Sequence, residues 1–186
     1  MDAAQAFSLY DRLLALPEGL TGEILGGQLH TQPRPAGPHA RAESVLQVEL
    51  GGPFDRGKGG PGGWWILVEP EIHFVRDTEV CVPDLAGWRR ERMAAIPRDQ
   101  RFEVVPDWVC EILSPSTESK DRQVKMPIYA RYGVRFAWMI DPVKQSLEAY
   151  ALGSPDWTPV GRWQEDVRVE VPPFESVPLD LAGLWV

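Results

Sequence analysis

The run Trp108-Val109-Cys110-Glu111-Ile112-Leu113 is apolar and β-prone at every position but one, and it breaks at once into Ser114-Pro115-Ser116-Thr117. Side chains alternate along a strand, so Glu111 shares a face with Val109 and Leu113, and its carboxylate is carried into a partly buried surface. An isolated buried carboxylate costs several kcal/mol, so a charge placed there must be paired or metal-bound. A second acid stands upstream in Cys81-Val82-Pro83-Asp84-Leu85, where Asp84 closes another short β-prone run. Two acids on neighbouring strands, followed by a basic helix, fit a divalent-metal site for phosphodiester chemistry.

The surrounding pattern predicts a mixed α/β sheet flanked by helices, in one domain over residues 1–186. A helix is expected from Ala3 to Leu16, capped by Asp2, striped by Ala6, Phe7, Tyr10, Leu13 and Leu14, and stopped by Pro17. Gly26-Gly27 between Glu23-Ile24-Leu25 and Gln28-Leu29-His30 marks a hairpin. A second helix starts near Pro38, runs to about Leu50 and stops at Gly51-Gly52-Pro53. Gly57 to Gly63 lacks the Lys-Ser/Thr ending of a phosphate-cradling loop and reads as a connector. Strands follow at Trp64–Val68, Glu71–Val75, Val80–Val82 and Trp108–Leu113, then a helix at Glu118–Tyr132 closed by Gly133, with Pro127 predicting a kink or a late start. Arg135–Ile140 is a buried strand, parallel to Trp108–Leu113 through a right-handed crossover. Leu147–Leu152 and Val167–Val171 read as antiparallel additions, and Leu179–Val186 as a packed tail.

Composition narrows the function. The net charge of −8 argues against a protein that coats nucleic acid non-specifically. The stretch from Asp84 to Arg135 nevertheless carries ten Lys/Arg against eight Asp/Glu, so the segment with the candidate site is the least acidic part of the chain. Arg89-Arg90-Glu91-Arg92 reads as a solvated face, with a DNA-facing role as the alternative. Cys81 and Cys110 sit in β-prone runs as small buried hydrophobes, which suits a reducing cytoplasm. No secretory leader or membrane-length apolar run is expected. Ser114 and Ser116 lack a nearby partner histidine, which disfavours a serine nucleophile.

Several motifs, taken in order, carry a resemblance. Glu23-Ile24-Leu25-Gly26-Gly27-Gln28-Leu29, Gly59 through Trp65 to Glu69-Pro70, Pro83-Asp84, Glu111-x-Leu113, Ser114-Pro115-Ser116-Thr117, Asp121-x-x-x-Lys125, Tyr129, Gly133-Val134 and Trp138-x-x-Asp141-Pro142 together resemble the Uma-two family of restriction-endonuclease-like proteins, within the PD-(D/E)xK nuclease superfamily. The likeness spans nearly the whole chain. It implies a restriction-endonuclease-like fold whose sheet gathers acids at one edge to hold Mg2+ (or Mn2+), with DNA as substrate. Asp84 and Glu111 then supply two hard oxygen ligands and the carbonyl of Ile112 a third, with carboxylates roughly 4–6 Å apart about one ion. Double-strand cleavage is simplest in a homodimer presenting one site to each strand.

The chain departs from the superfamily at Leu113, where the lysine two residues after the second acid is expected. A leucine cannot polarise water, so either the site is inactive or another cation reaches it. Lys125 on the following helix is the candidate, with Lys120 and Arg122 behind it. Its alternative is a surface ion pair with Asp121 at i,i+4, worth under about 1 kcal/mol. Glu69 is a further candidate ligand or an edge acid, Glu23 a hairpin residue that reaches the site only if the hairpin folds over it, and His39 a phosphate contact or a packing residue. The competing functions are a non-catalytic nuclease-fold module that binds DNA or a protein, and a phosphoesterase acting on a small nucleotide.

Overall fold

The computed structural model describes residues 7–154 and 156–186. Its centre is a six-stranded mixed sheet. The strands are β3 (Trp64–Val68), β6 (Leu85–Arg89), β7 (Trp108–Ile112), β8 (Phe136–Asp141), β9 (Ser146–Leu152) and β10 (Trp157–Gln164), in the order β10-β9-β8-β7-β6-β3. The expected parallel pair is present, with Trp108 opposite Phe136 and Ile112 opposite Ile140. Every other pairing in this sheet is antiparallel.

A second, four-stranded sheet is built from β1 (Leu20–Leu25), β2 (Gln28–Pro33), β4 (Ile72–Val75) and β5 (Glu79–Cys81), in the order β2-β1-β5-β4. The hairpin turns at Gly26 and Gly27, whose φ values of 57° and 76° are open to glycine at little steric cost. The hairpin therefore joins a separate sheet and not the central one.

Alternation in β7 sorts two cores. Trp108, Cys110 and Ile112 pack with Trp138 and Ile140 against helix α2 (Gly37–Leu50) and the C-terminal residues Leu179, Leu181 and Leu184. Val109 and Leu113 face the other way, toward Met126, Ile128 and Tyr129 of helix α4 (Met126–Tyr132). Glu111 has the parity of this second face, as its period-two position requires.

The helix expected over Glu118–Tyr132 is present in three pieces: a short α3 (Glu118–Lys120), a π-helical turn over Asp121–Lys125, then α4. Pro127 supplies the reason. Its ring would meet the carbonyl of Gln123 four residues back, and it has no N–H to give, so the preceding turn widens. Gly133 closes α4 with φ of 81°.

Other expectations are corrected. Helix α1 covers only Leu9–Leu14 and is capped by Ser8 in a reciprocal box with Asp11. The proposed cap Asp2 and residues 3–6 lie outside the described residues. Phe7 and Leu14 are 82% and 55% exposed, so the buried stripe reduces to Tyr10 and Leu13. Helix α2 does not stop at Gly51 but runs on as a π-helical turn to Asp55. Strand β6 falls between the expected strands Val80–Val82 and Trp108–Leu113, where no strand was expected. Strand β10 went unrecognised because its burial is weak throughout, as befits a sheet edge. From Val167–Val171, only Arg168–Val169 is a strand (β11), and it pairs with β12 (Leu179–Asp180) outside the central sheet. Among the described residues no helix is long and apolar enough to cross a membrane.

Candidate active site

Asp84 is the last residue of the crossing between the two sheets. Strand β5 ends at Cys81 in the smaller sheet, Val82-Pro83 carries the chain over, and β6 begins at Leu85. Leu85 lies opposite Cys110 in the antiparallel β6–β7 pair. One further step in that register puts Asp84 beside Glu111. Asp84 thus starts a strand of the central sheet, where the sequence suggested that it closed the preceding run.

Both acids, together with Ile112, line one cavity of about 290 Å³, walled by His39, Glu69, Asp121 and the Ser114–Thr117 turn and bordered by Gln32 and Arg34 from the tail of β2. Asp84 is 8% exposed and Glu111 2%. The backbone N–H of Ile112 donates to Asp84 Oδ2 at 2.5 Å. In an extended residue the carbonyl leaves on the same side as the N–H, so the Ile112 carbonyl faces the Asp84 side of the sheet. His39 Nε2 lies 3.1 Å from Asp84 Oδ1, so this histidine touches the site and is no mere helix-packing residue.

Glu111 is held from the opposite side. Lys125 Nζ lies 2.9 Å from its carboxylate, and the Tyr129 hydroxyl donates to Oε1. Lys125 is 1% exposed, lies 2.9 Å from Glu23 Oε1 as an ion pair and donates to the Val82 carbonyl at 3.0 Å. An ammonium has three N–H groups, and three acceptors lie within 3.0 Å of this one. Lys120 goes elsewhere, to Glu23 Oε2 and Gln32 Oε1 at 2.6 and 2.5 Å. Lys125, and not Lys120, therefore reaches the acids, and its direct contact is with Glu111. No ion pair joins Asp121 to Lys125. Both are buried, so the surface-pair alternative does not hold.

The titration of these groups follows from burial and charge. Burial pushes the Glu111 carboxyl well above the usual range; Lys125 opposes this, while Asp121, Asp84 and Glu23 add to it. Burial also raises Asp121, against the pull of Lys125 and Lys120. For Lys125 burial would lower the value, but Glu111, Glu23 and other carboxylates outweigh it, so the ammonium stays protonated. Burial alone would raise Glu23; Lys125 and Lys120 hold it below the ordinary range. Glu23 is not among the residues lining the cavity and bridges the two lysines.

Glu69 lies on the wall with φ of 45°, a left-handed conformation at a residue that precedes a proline. Its N–H donates to the Asp84 carbonyl at 2.9 Å, which ties the end of β3 to the site. Three residues of the site had no role assigned from sequence. Tyr129 was visible only as a motif position. Glu43, one helical turn beyond His39, has its carboxyl raised to about 7 by burial, with Asp84 and Glu69 adding to the shift. Arg34 stands between Pro33 and Pro35, in a stretch whose sequence carries no site motif.

Among the described residues no set of three or more His, Cys, Asp or Glu side chains converges as a metal site. A divalent ion here would rest on two carboxylates and one backbone carbonyl, with water completing its shell. That donor set suits magnesium, which keeps several waters and prefers hard oxygen. The residues present fit the ion.

The central mixed sheet thus carries an acid pair at one end, with a buried lysine behind it. The family model for Uma2, described as "Putative restriction endonuclease", matches residues 7–182, and the chain belongs to that family. A solved structure with a TM-score of 0.75 is described as a "putative nuclease belonging to DUF820" from Anabaena variabilis ATCC 29413. It is 23% identical, with 96% of this chain and 97% of that chain covered, and at that identity it bears on the fold. No curated protein matches the chain significantly.

Proposed function

We propose that this protein is a metal-dependent DNA endonuclease that hydrolyses phosphodiester bonds with water as nucleophile. The observation that carries the reading is the meeting of Asp84 and Glu111 on one cavity, with Lys125 2.9 Å behind Glu111. Asp84, Glu111 and the Ile112 carbonyl would hold Mg2+ or Mn2+. When bound, such an ion supplies Lewis-acid neutralisation of the phosphate and lowers the pKa of a coordinated water.

The chain's own residues do the rest. Lys125, enclosed by Glu111, Glu23 and the Val82 carbonyl, is not placed as a water-polarising group; it orients Glu111 and opposes the rise that burial imposes on its carboxyl. Tyr129 fixes the other side of that carboxylate by donating its hydroxyl proton. His39 and the Ile112 N–H orient Asp84 from two directions. The lysine missing at position 113 is thus replaced as a charge, from a different element, and not as a water-contacting group.

The enclosure of Lys125 also favours a second reading, a nuclease-fold module that binds DNA without cutting it. One assay separates the two: supercoiled, linear and single-stranded DNA incubated with Mg2+ or Mn2+, beside Asp84→Ala and Glu111→Ala. Metal-dependent cleavage lost in both variants supports the endonuclease. DNA left intact by wild type and variants alike supports the module.

A further inference from the structure

A cavity walled by Glu69, Asp84, Glu111 and Asp121 repels a polyanion. Metal at two of these acids offsets part of that charge, but a strand crossing the mouth presents further phosphates that need a cation. The obvious lysines are committed: Lys125 is buried among Glu111, Glu23 and the Val82 carbonyl, and Lys120 is tied to Glu23 and Gln32. Arg122 is likewise spent on Glu118 and Glu148.

Arg34 is different. It is the one Arg or Lys among the cavity's lining residues, it is exposed, and no carboxylate of the described residues lies within ion-pair distance of it. Its position is set by sequence. It follows Gln32, which β2 anchors opposite Thr21, and it stands between Pro33 and Pro35. A residue before proline is biased to extended backbone, and the flanking prolines cut the freedom of the segment. The arm that carries the guanidinium to the mouth is therefore stiff before any ligand arrives, and less entropy is lost on binding.

We infer that Arg34 is a substrate-binding residue that takes a backbone phosphate of the DNA strand as it crosses the cavity mouth. The inference rests on the endonuclease reading and adds to it the group that meets the substrate's charge. A guanidinium suits this task because its planar N–H groups match two phosphate oxygens at once, whereas an ammonium acts as a point charge. Loss of one phosphate contact lowers affinity across DNA sequences and flattens the salt dependence by about one unit of slope.

The test measures binding of a labelled duplex by fluorescence anisotropy in Ca2+ at several salt concentrations, with KM and kcat for cleavage in Mg2+. Wild type, Arg34→Ala and Arg34→Lys are compared, with thermal melting to establish that each is folded. Arg34→Ala is expected to weaken binding and raise KM about tenfold, leave kcat within about twofold, and reduce the slope of log Kd against log salt by about one, with Arg34→Lys intermediate. An unchanged Kd and slope in Arg34→Ala, with wild type still binding and cutting, overturns the role of Arg34 and leaves the endonuclease reading intact. A changed kcat with an unchanged slope also overturns it, because a merely structural effect on the site gives that pattern. Failure of wild type to bind or cleave DNA overturns both.

Discussion

Lys125 Nζ lies 2.9 Å from the carboxylate of Glu111 across a separation of 14 residues, and both groups are buried. The same ammonium holds Glu23, so one cation stabilises two carboxylates that water scarcely reaches. Removing it leaves buried Glu111 without its cation and Glu23 with Lys120 alone. Lys125→Met keeps most of the volume and is expected to destabilise the fold by about 3–5 kcal/mol in urea unfolding. Adding Glu111→Gln should restore part of that loss, since the carboxyl left without its cation is then replaced by a neutral amide. A Lys125→Met protein of wild-type stability would mean that the three groups are not coupled as described.

Asp84 tests the metal site apart from the fold. Asp84→Asn retains an oxygen to accept from the Ile112 N–H but removes the charge. Wild type should melt at higher temperature as Mg2+ or Mn2+ is added, approaching about 2.7 kcal/mol of added stability when the free ion reaches a hundred times its Kd. Asp84→Asn should show little of this shift and no cleavage. Equal shifts in both proteins would place the ion elsewhere.

Tyr129 is held protonated by burial and by Glu111, which suits it to donate to that carboxylate. Tyr129→Phe leaves a buried oxygen of Glu111 with one donor fewer, at a cost of about 1–3 kcal/mol in unfolding free energy. Cleavage should fall, but by less than in Glu111→Ala, because Lys125 still holds the carboxylate. Activity and stability both equal to wild type would remove Tyr129 from the site.

Much of this arrangement is legible in the sequence because alternation and turn chemistry are local. The parity of Glu111 among Val109 and Leu113 predicts its face, and Gly26-Gly27 predicts the hairpin. Lys125 was reachable through the gap at Leu113 and the resemblance of Asp121-x-x-x-Lys125 to the family's motif. What escaped depends on long-range packing. Strand β6 carries Gly87 and runs into Arg89 and Arg90, so its own composition does not mark it as a central strand, and only pairing with β3 and β7 makes it one. The separation into two sheets turns on the path of Val82-Pro83, which no periodicity records. His39 and Glu43 come to the acids because α2 packs along the central sheet, and Arg34 comes to the cavity because Thr21 and Gln32 of the hairpin strands form part of its lining. Side-chain partners such as Val82 O for Lys125 have no sequence signature at all.

Away from the site, Arg122 grips Glu148 of β9 through two guanidinium nitrogens, at 2.8 and 3.2 Å, and the Tyr150 hydroxyl donates to the same carboxylate at 2.6 Å. Burial alone would raise the Glu148 carboxyl, but the hydrogen bonds from Arg122 and Tyr150 and the charges of Arg122 and Arg162 hold it below its ordinary value of 4.5. A carboxyl depressed by folding contributes stability that is present above its unfolded value and lost as pH falls through the folded one. The pair should therefore support the fold at neutral pH and fade below about pH 4.5, by about 1 kcal/mol for a group still in partial contact with water. Glu148→Gln removes this titration. Urea unfolding from pH 6 down to pH 3 should show wild type losing its advantage over Glu148→Gln across that window, and a constant difference over the whole range would refute the assignment.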